Sequence, residues 1–224
     1  MVLEHVSFSI QQGEKVGIIG SNGVGKSTLL KLMVGIEPVS IGKIHILGDE
    51  VTQENLARIR QEAGYVFQDS ESQLFMSTIY DDVAFAPINY GLDQEEVERR
   101  TMDALERVRI AHLAKKKIYQ LSGGEKKLAS IATVLSMEPK ILLLDEPSVA
   151  LDPQNRRNLI RVLNDLSMTK VIASHDLDFI YDTCDRTVIL DHGTIAADGN
   201  TKELLRNKEL LERNGLELPL SFSR

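Results

Sequence analysis

Val16-Gly17-Ile18-Ile19-Gly20-Ser21-Asn22-Gly23-Val24-Gly25-Lys26-Ser27-Thr28 is the stretch on which the fold turns. Its first four residues are apolar, too short a run for a helix, and read as a buried strand. The next eight, Gly20 to Ser27, fit G-x-x-x-x-G-K-[ST], and residues 28–34 continue in a helical pattern with Gly35 as a stop. A strand feeding this loop into a helix is the context the motif requires. Glycines let backbone N–H groups point inward at phosphate oxygens, and the helix N-terminus adds its dipole. Lys26 reaches the β and γ phosphates, and Ser27 can ligate magnesium. Composition alone would produce such a glycine-rich match in about one chain per hundred, and the strand-to-helix context makes chance rarer still. Ser21, Asn22, Gly23, Val24, Gly25, Lys26, Ser27 and Thr28 are therefore the candidate nucleotide contacts.

Working outward, three more short runs rich in Val, Ile and Leu, at residues 141–144, 171–173 and 188–190, read as buried parallel strands. Polar or amphipathic helical stretches separate them, the βαβ alternation of an α/β sheet covered on both faces. Between Gln68 and Pro139 the pattern turns helical, best seen over residues 93–109, where Val97, Leu105 and Val108 share one face. Asp93 followed by Glu96 predicts a capping box there. Residues 2–10 and 43–47 alternate like exposed strands and predict a small antiparallel layer. The expectation is one domain over residues 1–224, with residues 1–68 and 139–200 as core, 69–138 as a helical subdomain and 201–224 as a tail, helical and then irregular.

The net charge of -7, with only short basic clusters such as Lys115, Lys116 and Lys117, disfavours nucleic acid as a partner. That lysine triplet reads as a solvated turn. The single cysteine, Cys184, rules out an internal disulfide, suits a reducing cytosol and reads as a packing residue. No apolar stretch reaches the ~20 residues needed to cross a bilayer, and no signal core opens the sequence. If the chain serves a membrane, another polypeptide spans it.

Ile141-Leu142-Leu143-Leu144-Asp145-Glu146 brings two carboxylates to the point where a strand leaves the sheet, the usual ligand edge of open α/β folds. Asp145 is expected to hold magnesium through water, and Glu146 to polarise the water that attacks the γ-phosphate. Without the phosphate loop the same pair would read as a solvated turn. Leu121-Ser122-Gly123-Gly124-Glu125 has S-x-x-E spacing, so Ser122 is expected to cap a helix. Bare glycine N–H groups at that N-terminus also make an anion site of Ser122, Gly123 and Gly124. The chain thus carries two phosphate-binding helix ends, and one nucleotide cannot easily use both within one monomer. A head-to-tail pair of chains is the simplest arrangement.

In this order the motifs resemble those of the nucleotide-binding subunits of ABC transporters, over nearly the whole chain. The phosphate loop is residues 20–28, the glutamine loop centres on Gln68, the signature is residues 121–125, and Asp145 and Glu146 close the second magnesium strand. Residues 148–152, ending in Asp152, match the D-loop, and His175 in Ala173-Ser174-His175-Asp176 matches the switch histidine. The resemblance implies a P-loop NTPase (RecA-like) core with a parallel sheet, a helical subdomain insertion and a small, N-terminally shortened antiparallel β layer. It also implies a magnesium-dependent ATPase on the cytoplasmic face of the cell membrane, with ATP and Mg2+ as cofactors. ATP would be sandwiched between the phosphate loop of one subunit and the signature of another, identical or paralogous. Gln68 would contact magnesium and water and report to a transmembrane subunit that docks after it, and His175 would contact the γ-phosphate.

Residues 67–75 and 82–87 look more narrowly like the ATPases of energy-coupling-factor importers, the group that takes up cobalt, nickel and vitamins. In that group the helix after the glutamine loop receives arginine-bearing helices, which makes Asp81 and Asp82 candidate contacts; the plainer alternative is that both cap a helix. Ser72 stands where the group often has an acidic residue and Ala86 where it has glycine. Family members also carry one more N-terminal strand, with an aromatic residue stacked on adenine. Here Phe8 is expected to point into the core, adenine stacking to be weaker, and dimerisation to depend on ATP or on the membrane partner. Two rival functions are an ATP-gated binding module with negligible hydrolysis and a soluble ABC ATPase of DNA repair or translation. The latter usually carries a coiled coil, a zinc site or a tandem cassette, none of which is visible.

Overall fold

Strand β1 (Lys15–Ile19) runs parallel between β6 (Thr169–Ala173) and β7 (Arg186–Asp191). The computed structural model describes residues 3–222. Among them the main sheet has six strands in the order β4-β5-β6-β1-β7-β8, with β4 (Ala63–Val66), β5 (Ile141–Asp145) and β8 (Thr194–Asn200). All neighbours pair in parallel except β7 and β8.

The unbroken apolar runs are explained by two cores, one on each face. Val16, Ile18, Leu143, Val171, Ala173, Val188 and Leu190 pack with α1 (Lys26–Met33) and α2 (Leu56–Glu62). Ile19, Leu142, Leu144, Ile172 and Ile189 turn the other way, towards α5 (Gly123–Leu135), α6 (Pro153–Asp165) and α7 (Leu177–Thr183). Neighbouring residues point to opposite faces, so a strand buried on both sides loses its polar alternation.

The segment between β4 and β5 holds α3 (Ile79–Asn89), α4 (Gln94–Arg107) and α5, and Val97, Leu105 and Val108 are buried there. Asp93 does cap α4, accepting the Glu96 N–H at 2.9 Å. The reciprocal half of the expected box is not made, because Arg99 and Arg100, each at 2.7 Å, claim the Glu96 carboxylate and hold its pKa down to about 2. After β8 come α8 (Thr201–Leu204), α9 (Lys208–Arg213) and a final 3-10 turn, Leu220–Phe222.

Several expectations need correction. Residues 3–11 form no strand; Val6, Phe8 and Ile10 lean inward on the core, but the segment has no ladder partner to close a sheet. Val2, and residues 223–224 of the tail, lie outside the described residues. Of residues 43–47 only β2 (His45–Ile46) pairs, with β3 (Asp49–Glu50), through a turn in which Leu47 and Gly48 have φ of 51° and 92°. Strands β4 and β8 escaped the sequence reading because one is four residues long with a glycine and the other is a half-exposed edge. The lysine triplet is not simply solvated, since Lys116 pairs with Glu125 at 3.1 Å. Cys184 is buried, and burial pushes its thiol up to about 12.

Gly64 lies where α5 crosses β4, and a Cβ there would stand 2.0 Å from Val134 Cγ1. Gly64→Ala is therefore expected to cost about 1–3 kcal/mol in urea unfolding through overpacking. Adding Val134→Ala should return part of that loss, as the double variant's midpoint will show.

Candidate functional site

The carboxyl ends of β1, β5 and β6 meet at one edge of the sheet, and every residue of the cleft there hangs from these strands or from the loop after β4. Beyond β1 the chain turns through Gly20, Gly23 and Gly25, with φ of 154°, 81° and 110°. A Cβ on Gly20 would stand 2.4 Å from the Leu190 carbonyl oxygen, so that position is closed to any side chain. Gly25 starts α1 without a side-chain cap, leaving the first-turn N–H groups to face whatever lies beyond the helix. Lys26 is buried and donates to the carbonyls of Gly20 at 2.8 Å and Ser21 at 3.1 Å. Burial pushes its pKa down, against the opposing pull of Glu146 and Asp145.

Asp145, the last residue of β5, is 4% exposed. Ser27 Oγ donates to its Oδ1 at 2.7 Å, and Tyr65 on β4 donates to its Oδ2 at 2.9 Å. Burial first, and then this carboxylate, push the Tyr65 phenol well above its ordinary range. Glu146 follows with φ of 45°, a left-handed conformation that costs a non-glycine residue of order 1 kcal/mol or more. Its N–H bonds to the Ala173 carbonyl at 2.8 Å, which holds the turn. Its carboxylate then lies with Oε1 3.9 Å from Lys26 Nζ and Oε2 2.8 Å from His175 Nδ1. The His175 N–H at 3.2 Å and Ser174 Oγ at 3.3 Å also point at Oε2. A carboxylate accepts, so His175 Nδ1 is the donor in this contact, and the Nε2 edge of the ring is left facing away from Glu146.

Asn22, Gly23, Gly25, Lys26, Ser27, Thr28, Gln68, Val149, Glu146 and His175 line a cleft of about 390 Å³. Asp145 stands behind it, Ser21 contributes its carbonyl, and the Val24 side chain is turned into the core. Ser122, Gly123, Gly124 and Asp152 are not part of this cleft.

They form a second locus. Ser122 caps α5 with both halves of the box in place: the Glu125 N–H reaches Ser122 Oγ at 3.3 Å, and Glu125 Oε2 accepts the Ser122 N–H at 2.7 Å. That backbone bond first, then Lys116, lowers the Glu125 pKa. Asp152 caps α6, accepting the N–H groups of Gln154 and Asn155 at 2.9 Å each. The Asn155 side chain then lies so close to Gly124 that a Cβ there would stand 2.3 Å from it.

The sequence reading missed Tyr65, Ser174, Asn155 and Lys127, the last buried and donating to the carbonyls of Phe67 and Gln68. Burial pushes the Lys127 ammonium down to about 8. Tyr65 could have been found from its place just ahead of Gln68, had β4 been recognised as the neighbour of β5. Asp82, a candidate for either a partner contact or a helix cap, is 3% exposed and accepts the N–H groups of Phe75 and Met76, just ahead of α3, at 3.1 Å each.

A family model described as ABC transporter matches residues 3–149. A putative ABC transporter ATP-binding protein of Geobacter sulfurreducens is 50% identical over 220 residues, 98% of this chain and 88% of the relative. An energy-coupling factor transporter ATP-binding protein of Carboxydothermus hydrogenoformans is 44% identical over 221 residues, 97% of this chain and 82% of the relative. Among solved structures, cbiO1 from Clostridium perfringens, part of the ABC transporter complex cbiONQ, aligns with a TM-score of 0.86 at 37% identity, covering 95% of this chain and 87% of that one.

Tyr65→Phe keeps the ring and removes only the donor to Asp145, leaving a buried carboxylate oxygen unpaired. Urea unfolding at neutral pH is expected to show a loss of about 1–2 kcal/mol.

Proposed function

The chain belongs to the ABC transporter family of ATP-binding and ATP-hydrolysing subunits, and we propose that it powers an importer of the energy-coupling-factor type, two ATPase chains closing head to tail around ATP. The observation that carries this reading is the division of the phosphate-binding groups. The phosphate loop, Gln68, Glu146 and His175 share one cleft, while Ser122 to Gly124 cap a different helix outside it. A second chain, identical or paralogous, completes the site.

The donor set suits magnesium: the Ser27 hydroxyl and Asp145 carboxylate are hard oxygen donors 2.7 Å apart, and Gln68 lines the same cleft. Ser27, Asp145 and Gln68 would hold the ion, which would supply positive charge to offset the negative charge of the phosphates. Lys26 and the first-turn N–H groups of α1 hold the β and γ phosphates. Glu146 orients the attacking water and accepts its proton, and His175, tied through Nδ1, offers its other ring edge to the γ-phosphate. A gating module with negligible hydrolysis would not need a carboxylate held in a left-handed turn by three donors, so hydrolysis is favoured.

The similarity to the energy-coupling factor relative and to cbiO1 supports the energy-coupling-factor class, and the proposed cargo is cobalt, nickel or a vitamin. On the segment after Gln68, Phe75 and Phe85 stand edge to face at 4.8 Å while 65% and 40% exposed, beside exposed Ile88 and Met76. This is the surface assigned to the transmembrane subunit, with the chain lying peripherally on the membrane's cytoplasmic face.

Glu146→Gln and Ser122→Arg are each expected to bind ATP and hydrolyse almost none. Mixed in equal amounts they should regain about a quarter of wild-type turnover, since half of the dimers then hold one intact composite site of two. A mixture as inactive as its components counts against the shared site. Phe85→Glu should leave ATP binding intact and lower co-purification with the membrane subunit severalfold.

A further inference from the structure

The loop that leaves β4 carries Gln68 into the nucleotide cleft, yet its bonds run to α5, the helix that begins at the Ser122 cap. Lys127 Nζ donates to the Phe67 carbonyl at 3.1 Å and to the Gln68 carbonyl at 2.7 Å. Farther along the helix, Gln73 Nε2 donates to Ser130 O at 2.7 Å and Thr133 Oγ1 at 2.8 Å, while Gln73 Oε1 takes the Phe67 N–H at 3.1 Å. Lys127 is 3% exposed, whereas the Gln68 side chain it stands behind is exposed.

The two carbonyls Lys127 grips belong to the two peptide planes on either side of the Gln68 Cα. Holding both fixes the φ and ψ of Gln68, and with them the direction in which its side chain leaves the backbone. A buried ammonium bonded to two carbonyls is costly to move, because any shift leaves polar groups unpaired away from water. The grip therefore transmits motion of α5 to Gln68.

We propose that Lys127 is a positioning residue for hydrolysis: by pinning the peptide planes that flank Gln68, it makes the placement of that side chain in the nucleotide cleft follow the helix that begins at the signature. This rests on the reading of Gln68 as a site residue. The signature contact made by one chain and the magnesium-side contact made by Gln68 of the same chain then move as one body. A displacement of about 1 Å at such a group costs on the order of a hundredfold in rate, so the fixing matters for turnover.

The test is a double-mutant cycle on the full-length ATPase assembly, read as kcat and KM for ATP. Lys127→Met is expected to lower kcat about tenfold or more with KM within about threefold, and Lys127→Gln, which restores an amide donor, to recover part of the loss. In a Gln68→Ala background Lys127→Met should cost nothing further, and hydrogen exchange over residues 67–69 should rise in the Lys127→Met chain. A folded Lys127→Met chain with wild-type kcat, or losses that multiply in the double variant, overturns the proposal. Should Lys127→Met not fold, Lys127→Gln carries the same cycle. Gln68→Ala at wild-type kcat would remove the reading of Gln68 and this inference with it. Gln68→Ala impaired beside an unimpaired Lys127→Met removes the inference alone.

Discussion

Asp145 is the group on which the rest of the site hangs. A carboxylate buried without partners costs several kcal/mol, so its two oxygens must be satisfied for the chain to fold as it does. Ser27 takes one and Tyr65 the other, and these two donors come from the first turn of α1 and the middle of β4. One buried charge thus ties the phosphate loop, the strand that leads to Gln68 and the strand that leads to Glu146. Stability and site geometry depend here on the same two bonds, which keep the cleft in register with the sheet beneath it.

From that anchor the remaining parts are positioned by short struts rather than by their own loops. Glu146 is held between Lys26 and His175, so the buried charge next to Asp145 is also compensated. Helix α6 begins at the Asp152 cap, touches Gly124 through Asn155, and sends Arg156 to Asp176 at 2.7 and 3.0 Å. Asp176 in turn caps α7 immediately after His175. The turn at Ser122 to Gly124 and the turn at His175, which lie in different loci, are therefore braced by one helix.

Much of this was legible in the residues. Ser122 with Glu125 encoded a capping box, Gly20 to Ser27 encoded a strand-loop-helix turn, and the Val, Ile and Leu runs encoded strands covered on both faces. Each is a local pattern whose hydrogen bonds close within a few residues or whose period follows from backbone geometry. The failures were of another kind. Residues 6–10 alternate like a strand, but alternation reports only which side meets the core, and no neighbour supplies a ladder. Asp82 has a charge that suggests a surface, yet two backbone N–H groups draw it inward. Lys116 sits in a lysine run that reads as solvated, and its partner Glu125 lies on α5.

By itself the sequence determined the α/β class, the glycine-rich strand-loop-helix turn, the paired carboxylates and the capped helix start at Ser122, because these depend on spacing along the chain. Only the tertiary structure decided that Tyr65 completes Asp145 from 80 residues away, that Lys127 reaches back about 60 residues to grip both carbonyls around Gln68, and that Ser122 to Gly124 stand outside the cleft of Lys26 and Glu146. Those pairings follow from strand order and helix placement, and such contacts leave no periodic trace in sequence. A buried donor meets its acceptor only after the sheet has brought together segments that nothing local connects.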